Sequence, residues 1–304
     1  MTPHEKSLRL TQAISEYIIR NAPVIPYTPE EVRRAERSFT DEEKQVLRDA
    51  GWLNDDFECW YVTDRFQRAL GIEEQADDDF LRLLYQNARR LEKADLEKDL
   101  YLRSIRVPET RLGRFQLKLM TYARGEFLQW DMPDLSARTV VPKLAFFTQP
   151  VRFPAVYEGN MPWVSVCPSE INSMGPDVMK AHGHTLVLGL GLGWYPFQIS
   201  ELQQVESVTV IELQSEIIAL FEQHILPQFP HRNKIKVIRA DAFEYLKDVQ
   251  PGQYDFCYAD IWESQVDGAA AYKKILPHEE RLRGTEFAYW IKKEILWQLR
   301  NEED

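Results

Sequence analysis

The residues best suited to chemistry stand at the ends of four short apolar segments in the second half of the chain. They are Gly189, Gly191 and Gly193 after the first segment, Glu212 ending the second, Asp241 after the third and Asp260 after the fourth. Closely spaced glycines let a backbone turn sharply and approach a ligand closely. A carboxylate roughly twenty residues after such a turn is placed to accept hydrogen bonds from both hydroxyls of a ribose. The pattern therefore predicts a site for a nucleoside ligand.

The spacing of the glycines separates two classes of nucleoside ligand. A dinucleotide needs G-x-G-x-x-G, in which a helix N-terminus faces the pyrophosphate. Here the glycines run G-x-G-x-G, and Trp194 stands where the last glycine of the dinucleotide pattern would be. The apolar turn over 190–194 offers little to a diphosphate. The pattern favours S-adenosylmethionine over NAD, and we expect Trp194 and Ala242 to contact this cofactor as well.

Strands and helices must alternate to bring these residues together. Strands are predicted at 185–189, 207–212, 235–239 and 254–259, with helical segments between them that include 215–225. A further helix is predicted over 169–182, with Ser169 as its N-cap. This alternation requires a parallel sheet with right-handed crossovers, in which the carboxyl ends of the strands share one edge. The expected fold class is α/β, a Rossmann-like doubly wound parallel sheet.

Residues 161–262 resemble the core of the class I S-adenosylmethionine-dependent methyltransferases, and within that superfamily they are similar to the spermidine synthase-like aminopropyltransferases. The resemblance covers about a third of the chain. It implies that the glycine loop faces the methionine part of the cofactor, Glu212 holds the ribose, and Asp241 meets the adenine edge. It also implies that Asp260 lies at the reaction centre, as the base for the proton of the acceptor.

The substrate side of the pattern leaves several functions open. Asp260 and Glu263 repeat the spacing of the D-x-x-D element with which aminopropyltransferases bind an amine, and we expect Trp262 and Tyr195 to line the same pocket. The glycine loop departs from that family, because it lacks the aspartate that meets the amine of the decarboxylated cofactor. Three functions remain: methyl transfer to a small molecule or amine, aminopropyl transfer, and nucleoside binding without catalysis.

The segment after Asp260 is short for a methyltransferase core. It predicts a loop, a helix near 269–276 and a helix over 285–300. The familiar core would continue with a fifth parallel strand and a β-hairpin that walls in the substrate, and the pattern contains neither. We therefore expect a sheet shortened at its C-terminal end, or one whose far edge comes from the N-terminal region. The missing hairpin on the substrate side favours binding without catalysis.

The first half of the chain has a different pattern of predicted helices and strands. Residues 1–110 are predicted to be mainly helical, with one helix start at Thr28, a cap followed by Pro29 in the first turn, and a second at Thr40, which has capping-box spacing with Glu43. Within them, 40–71 resembles a small winged-helix-like unit, in which 59–62 separates two helices. Residues 111–168 contain short β-prone pieces between prolines and glycines, which predicts a small β connector. The expected domains are thus 1–110, 111–168 and 169–304, the last binding the cofactor.

Composition narrows the class of protein. A formal net charge of −11 argues against non-specific nucleic-acid binding and polybasic membrane attachment, which both need a cationic field. The three cysteines, Cys59, Cys167 and Cys257, are far apart and predict neither a disulfide framework nor a metal site. No run approaches the roughly 20 apolar residues that span a bilayer. We expect a cytoplasmic protein with a small-molecule substrate, and the oligomeric state stays open, a homo-oligomer included.

Overall fold

The structure is a computed structural model that describes residues 2–302. Its α-helices are α1 (Pro3–Asn21), α2 (Pro29–Arg37), α3 (Asp41–Asp49), α4 (Phe57–Ala69), α5 (Asp78–Asn87), α6 (Lys93–Leu96), α7 (Leu100–Ser104), α8 (Pro168–Val178), α9 (Trp194–Ser200), α10 (Ser215–Leu220), α11 (Ala242–Asp248), α12 (Gln265–Arg281) and α13 (Lys292–Glu302). Its strands are β1 (Arg89–Leu91), β2 (Thr110–Leu112), β3 (Phe115–Tyr122), β4 (Phe127–Asp131), β5 (Lys143–Phe147), β6 (Val151–Glu158), β7 (Met161–Ser165), β8 (Gly183–Leu188), β9 (Val205–Glu212), β10 (Ile235–Arg239), β11 (Phe256–Ala259) and β12 (Glu286–Tyr289).

The chain divides into two compact units, each built from two stretches of sequence. Unit 1 comprises Met1–Leu96 and Thr121–Arg152, and unit 2 comprises Glu97–Met120 and Phe153–Asp304. The strands of the predicted β connector contribute to both units. In unit 1, β4 and β5 join β1 in a sheet of order β1-β5-β4, whereas β2-β3-β6-β7 form a separate sheet, in which the pairs β2–β3 and β6–β7 are antiparallel.

Local capping starts the helices of unit 1 where the sequence predicts. Thr28 Oγ1 accepts from the Glu31 N–H at 3.2 Å, and Glu31 Oε2 accepts from the Thr28 N–H at 2.7 Å. The same reciprocal pair joins Thr40 and Glu43. These two capping boxes satisfy N–H groups that a helix start leaves unpaired. The predicted starts of α2 and α3 are confirmed.

The segment 40–71 differs from a winged-helix unit. Residues 59–62 lie inside α4, which begins at Phe57 with Asp56 as its cap. Cys59, Val62 and Phe66 are all buried, and their spacing places them on one face of that helix. This burial at helical spacing outweighs the β propensity of the individual residues. Across 40–71, all of which is described, the structure contains no strand and hence no wing.

Unit 2 contains a parallel sheet of order β10-β9-β8-β11-β12. Every neighbouring pair among these strands is parallel. The central strands β8 and β11 are buried along most of their length, as expected where helices cover both faces of a parallel sheet. The predicted α/β fold class, with a doubly wound parallel sheet and a helical N-terminal region, is confirmed.

The fifth strand corrects the predicted end of the chain. Residues 286–289, predicted as the start of a helix over 285–300, form β12 alongside β11, and α13 begins only at Lys292. The sheet therefore has its fifth parallel strand, and the edge comes from this segment and not from the N-terminal region. Four residues are too few for alternation to stand out in a sequence that also fits helical spacing. From β12 through residue 302 the structure has no hairpin.

The start of α8 also differs from the prediction. Cys167, and not Ser169, occupies the N-cap position, and no side chain makes a capping hydrogen bond there. Pro168 explains the shift, because proline fits the first helical position, where its missing N–H is no loss. Ser169 consequently lies in the first turn, one residue before Glu170.

Two further sequence features can be compared with the structure. All three cysteines are buried and unpaired, as the sequence predicts. Among the described residues no helix combines the length and the apolar character needed to cross a bilayer.

A short helix fastens the glycine loop of unit 2 from outside the sheet. The Tyr101 hydroxyl, from α7, donates to the Leu192 carbonyl at 2.6 Å, and both groups are buried. Asp99, the N-cap of α7, accepts from Trp194 Nε1 at 3.0 Å and from Gln198 Nε2 at 2.9 Å. The loop therefore depends on partners more than ninety residues earlier in the chain.

Replacing Tyr101 by Phe should lower the free energy of unfolding by about 1–3 kcal/mol, because the Leu192 carbonyl would remain buried without its donor. Urea denaturation of the full chain, followed by circular dichroism, measures this change. Tyr157→Phe is the matched control, since the half-buried Tyr157 hydroxyl makes no hydrogen bond among the described residues. Equal midpoints for the two variants would contradict the prediction.

Candidate functional site

The carboxyl ends of four strands bring most of the predicted site residues to one edge of the sheet. Gly189 follows β8, Glu212 ends β9, Asp241 lies just beyond β10, and Asp260 follows β11. The Asp260 N–H donates to the Leu188 carbonyl at 2.9 Å, which extends the pairing of β11 with β8 by one residue. Ligands of open α/β sheets bind at this edge. These residues therefore lie together at the carboxyl ends of neighbouring strands, as the sequence predicts.

The glycine loop is shaped by close contacts with the protein itself. Gly189, Gly191 and Gly193 all have positive φ, which disfavours other residues. A Cβ on Gly189 would lie 1.9 Å from the Asp260 carbonyl oxygen, and one on Gly193 would lie 2.3 Å from the Phe221 ring. Both positions therefore require glycine. The close approach of Gly189 brings the glycine loop into contact with the backbone at Asp260.

Glu212 organises the loop as well as facing the edge. Its Oε2 accepts from the Leu190 N–H at 3.1 Å, and its Oε1 accepts from the Gln214 N–H at 2.8 Å. The side chain is 7% exposed. Each carboxylate oxygen has a second lone pair, so acceptor capacity remains for the hydroxyls of a ligand. Glu212 thus joins β9 to the loop after β8 and can also hold a ribose.

Leu213 is a site candidate that the sequence reasoning missed. It follows Glu212 directly and is 54% exposed, although a large apolar side chain at a strand end would ordinarily pack inside. An exposed apolar surface beside Glu212, the predicted ribose acceptor, suits the face of an adenine ring. Its position after the acid that ends the second strand was the only signal in the sequence.

Asp241 and Ala242 stand at the start of α11. Asp241 caps that helix by accepting from the Glu244 N–H at 3.0 Å, and it is half-buried. Ala242 is buried in the first turn. A capping aspartate keeps free lone pairs, so the cap does not prevent Asp241 from accepting a hydrogen bond from a ligand.

Trp194 and Tyr195, which the sequence predicts to contact a ligand, are both buried within the protein. The Trp194 indole donates to Asp99, as described above. The Tyr195 hydroxyl donates to the Asp177 carbonyl at 3.0 Å, and its ring stacks on Tyr258 with centroids 3.8 Å apart. Packing against α8 and β11 accounts for Tyr195 without a ligand.

Asp260 lies in surroundings that favour its neutral form. Burial raises its pKa from an ordinary 3.8 to about 7. Glu170, in the first turn of α8, has its pKa raised to about 8, by burial and then by the negative charge of Asp260. Glu170 was not a predicted site residue, because some ninety residues separate it from Asp260 and it stands within an unremarkable helix start.

The predicted partner of Asp260 behaves differently. The Glu263 side chain is exposed, and its carboxylate makes no hydrogen bond or ion pair among the described residues. Trp262, between the two acids, is 7% exposed, and its Nε1 has no hydrogen-bond partner within the described chain. The loop after β11 therefore brings Trp262 inward and leaves Glu263 at the surface.

The part of the chain that holds these residues matches a known family. Residues 169–276 match the model of the spermine/spermidine synthase domain, and they include the glycine loop, Glu212, Asp260 and Glu170. The match covers about a third of the chain. Together with the order of the parallel strands, it supports the class I S-adenosylmethionine-dependent methyltransferase superfamily for unit 2.

Two solved structures are similar to the chain. The precorrin 8W decarboxylase of Methanobacterium thermoautotrophicum has 15% identity and a TM-score of 0.32, over 44% of this chain and 70% of that one. A conserved hypothetical protein of Streptococcus pyogenes has 14% identity and a TM-score of 0.29, over 36% of this chain and 65% of that one. Among curated proteins no match to the sequence was found.

Replacing Glu212 by Gln should destabilise unit 2 by about 1.5–3 kcal/mol, because one of two backbone N–H groups would face an amide NH₂ and lose its charged acceptor. Thermal unfolding of the full chain measures the loss. Glu206→Gln is the matched control on the same strand, where the carboxylate is exposed. A Glu212 variant as stable as the control would show that the loop does not depend on this carboxylate.

Proposed function

We propose that unit 2 is a transferase that binds a sulfonium nucleoside and directs a carbon group from it to an amine, with aminopropyl transfer as the first candidate. The observation that carries this proposal is an acidic pair, Asp260 and Glu170, beside a glycine loop in the segment that matches the spermine/spermidine synthase domain. Half-buried carboxylates at the ligand edge of the sheet suit a cationic acceptor.

The residues present fit a nucleoside of this kind. Gly189 brings the glycine loop into contact with the Asp260 carbonyl, Glu212 keeps acceptor capacity for a ribose, and Leu213 offers an apolar surface. Asp241 adds an acceptor on the neighbouring strand. We propose these residues as the holders of S-adenosylmethionine or its decarboxylated form.

The chemistry that the nucleoside supplies when bound is an activated carbon: the amine nitrogen forms a bond to it while the carbon–sulfur bond breaks and its electron pair goes to sulfur. The protein contributes orientation and a base for the proton that the nitrogen loses. Asp260 is the proposed base, since a pKa near 7 matches the operating pH at which proton transfer is most efficient.

Methyl transfer to an amine is the second candidate, and one observation favours it. Leu190 and Leu192, the residues between the glycines, are both buried, so the loop offers no carboxylate to the amine of a decarboxylated cofactor. The same chain can therefore take ordinary S-adenosylmethionine, whose carboxylate would meet backbone N–H groups.

Nucleoside binding without catalysis has lost one of its grounds. That alternative was based on the missing substrate-side hairpin, which the described chain also lacks from β12 through residue 302, and on a shortened C-terminal end, where β12 supplies the fifth strand. It remains an outcome of the test below, in which a ligand binds and no product forms.

The test compares the two cofactors with one acceptor. Incubation with 1,4-diaminobutane and decarboxylated S-adenosylmethionine should yield a triamine and methylthioadenosine, whereas ordinary S-adenosylmethionine should yield at most slow methylation. Mass spectrometry of both reactions measures the products. Product from the ordinary cofactor alone would establish the second candidate. A thermal shift with S-adenosylhomocysteine and no product from either cofactor would instead establish binding without catalysis.

Replacing Asp260 by Asn should lower turnover about 100-fold or more, the usual range for an acid–base group, and leave nucleoside affinity unchanged. Initial rates and calorimetric titration with methylthioadenosine separate the two effects. Asp248→Asn, at an exposed position of α11, is the matched control. An Asp260 variant that loses stability but keeps its turnover per folded molecule would make Asp260 a structural residue.

A further inference from the structure

Glu170 and Asp260 come from different elements and act on each other. Glu170 lies in the first turn of α8, and Asp260 follows β11. The Ser165 hydroxyl donates to Glu170 Oε1 at 3.2 Å, which holds that carboxyl group in place from the end of β7. The negative charge of Asp260 acts directly on Glu170. The two carboxyl groups therefore form one electrostatic unit at the edge of the sheet.

This acidic pair has no internal counter-charge. Among the described residues no lysine or arginine forms an ion pair with either carboxylate. Carboxylates elsewhere in the chain do form such pairs. Two acids in a desolvated site repel each other and cost free energy unless a cation or a proton compensates them. The missing positive charge must come from protons or from a ligand.

A buried hydroxyl points to a ligand at the same place. Tyr258 lies two residues before Asp260 on β11, so the two side chains share a face of the sheet. The Tyr258 side chain is 0% exposed, and its hydroxyl has no hydrogen-bond partner within the described residues. The charges of both Asp260 and Glu170 act on this hydroxyl. An orphaned buried hydroxyl next to uncompensated acids indicates a polar group that is missing from between them.

We propose that Glu170 and Asp260 form a single acidic site that binds the ammonium group of the acceptor and takes one proton from it, with the Tyr258 hydroxyl facing the same group. This inference rests on the proposed amine acceptor, and it assigns the second carboxylate to α8 and not to the D-x-x-D position Glu263. A primary ammonium has three donors, which matches two carboxyl groups and one hydroxyl oxygen.

The ionisation of the acidic pair explains both the binding of the ammonium group and the removal of its proton. Burial raises the pKa of Asp260 to about 7 and, together with the charge of Asp260, raises that of Glu170 to about 8, so the pair carries part of a negative charge near neutral pH. That charge attracts the ammonium. Because the values belong to the pair, one proton from the amine can pass to the ionised carboxylate without leaving two negative charges in the site. The nitrogen is then neutral and has a lone pair.

Other titratable groups face the acidic pair and must be considered in any pH profile. Cys167 and Tyr258 interact with the pair directly, and Asp177 and Tyr195 act on Tyr258. Burial raises the pKa of Cys167, of Tyr195 and of Tyr258, so these three remain neutral in the range between pH 6 and pH 9. The pH dependence in that range therefore comes from Glu170 and Asp260.

The first test measures binding without turnover. Calorimetric titration with 1,4-diaminobutane, with and without methylthioadenosine, should give an affinity about 10- to 100-fold lower for Glu170→Gln than for the wild type, since a charged acceptor is lost. Glu263→Gln, the matched control, should keep the wild-type affinity. Equal affinities for the wild type and Glu170→Gln, or no diamine binding by the wild type, would overturn the inference.

The second test measures the direction in which the pH profile of the transfer rate shifts. A partial loss of folding alone would not change that direction. If the rate of transfer rises with the ionisation of the pair, Glu170→Gln should lose the upper step near pH 8 and reach its plateau at lower pH. Ser165→Ala should move that step upward, because the hydroxyl donor that lowers the pKa of Glu170 is gone. Shifts in the same direction for both variants would contradict a shared site.

A third measurement separates this inference from the proposed function. A folded-state pKa of about 8 for Glu170, above the ordinary 4.5, means that its contribution to stability is full below about pH 4.5 and is lost as pH rises toward 8. The melting temperature of the wild type should therefore fall more steeply across that window than that of Glu170→Gln. Parallel profiles would overturn the inference. Diamine binding that depends on Glu170, with no transfer to any amine, would leave the site standing and remove the proposed function.

Discussion

The close approach of Gly189 to the Asp260 carbonyl is the constraint on which the remainder of the site depends. Any side chain at position 189 would occupy the place of that oxygen, so the loop after β8 and the loop after β11 can meet only if residue 189 is glycine. This contact places Asp260 beside the glycine loop, and Glu212 then holds the other side of the loop through the Leu190 N–H. Three strand ends are thereby joined before any ligand binds.

This arrangement explains how much of the site a sequence can reveal. The glycines, Glu212 and Asp260 stand directly after apolar strands, and parallel strands must bring their carboxyl ends to one edge. Glu170 has no such signal, because its place depends on how α8 packs over the end of β11. The same limit applies to Asp99 and Tyr101, whose hydrogen bonds to the glycine loop join α7 to residues more than ninety positions later.

The elements of the fold show a similar division. The starts of α2 and α3 were predictable because a capping box is complete within four residues. The strand β12 was not, since four residues between Gly284 and Ile291 become a strand only by pairing with β11. For α4 the intrinsic preference of residues 59–62 was misleading, and burial of one helical face decided the outcome. Local signals were reliable where local hydrogen bonds suffice, and tertiary contacts decided the remainder.

The acidic pair is where the fold departs from what stability alone would select. Two acids that share one half-buried site repel each other and cost free energy when both are ionised, so their presence at the ligand edge calls for a function. Ser165 limits the cost by donating to Glu170, but it leaves the charge of the pair uncompensated. A surface carboxylate such as Glu263 is solvated and would attract an amine weakly through water. The raised pKa values make Glu170 and Asp260 stronger bases than a solvated carboxylate, which suits the removal of a proton near neutral pH that we propose for them.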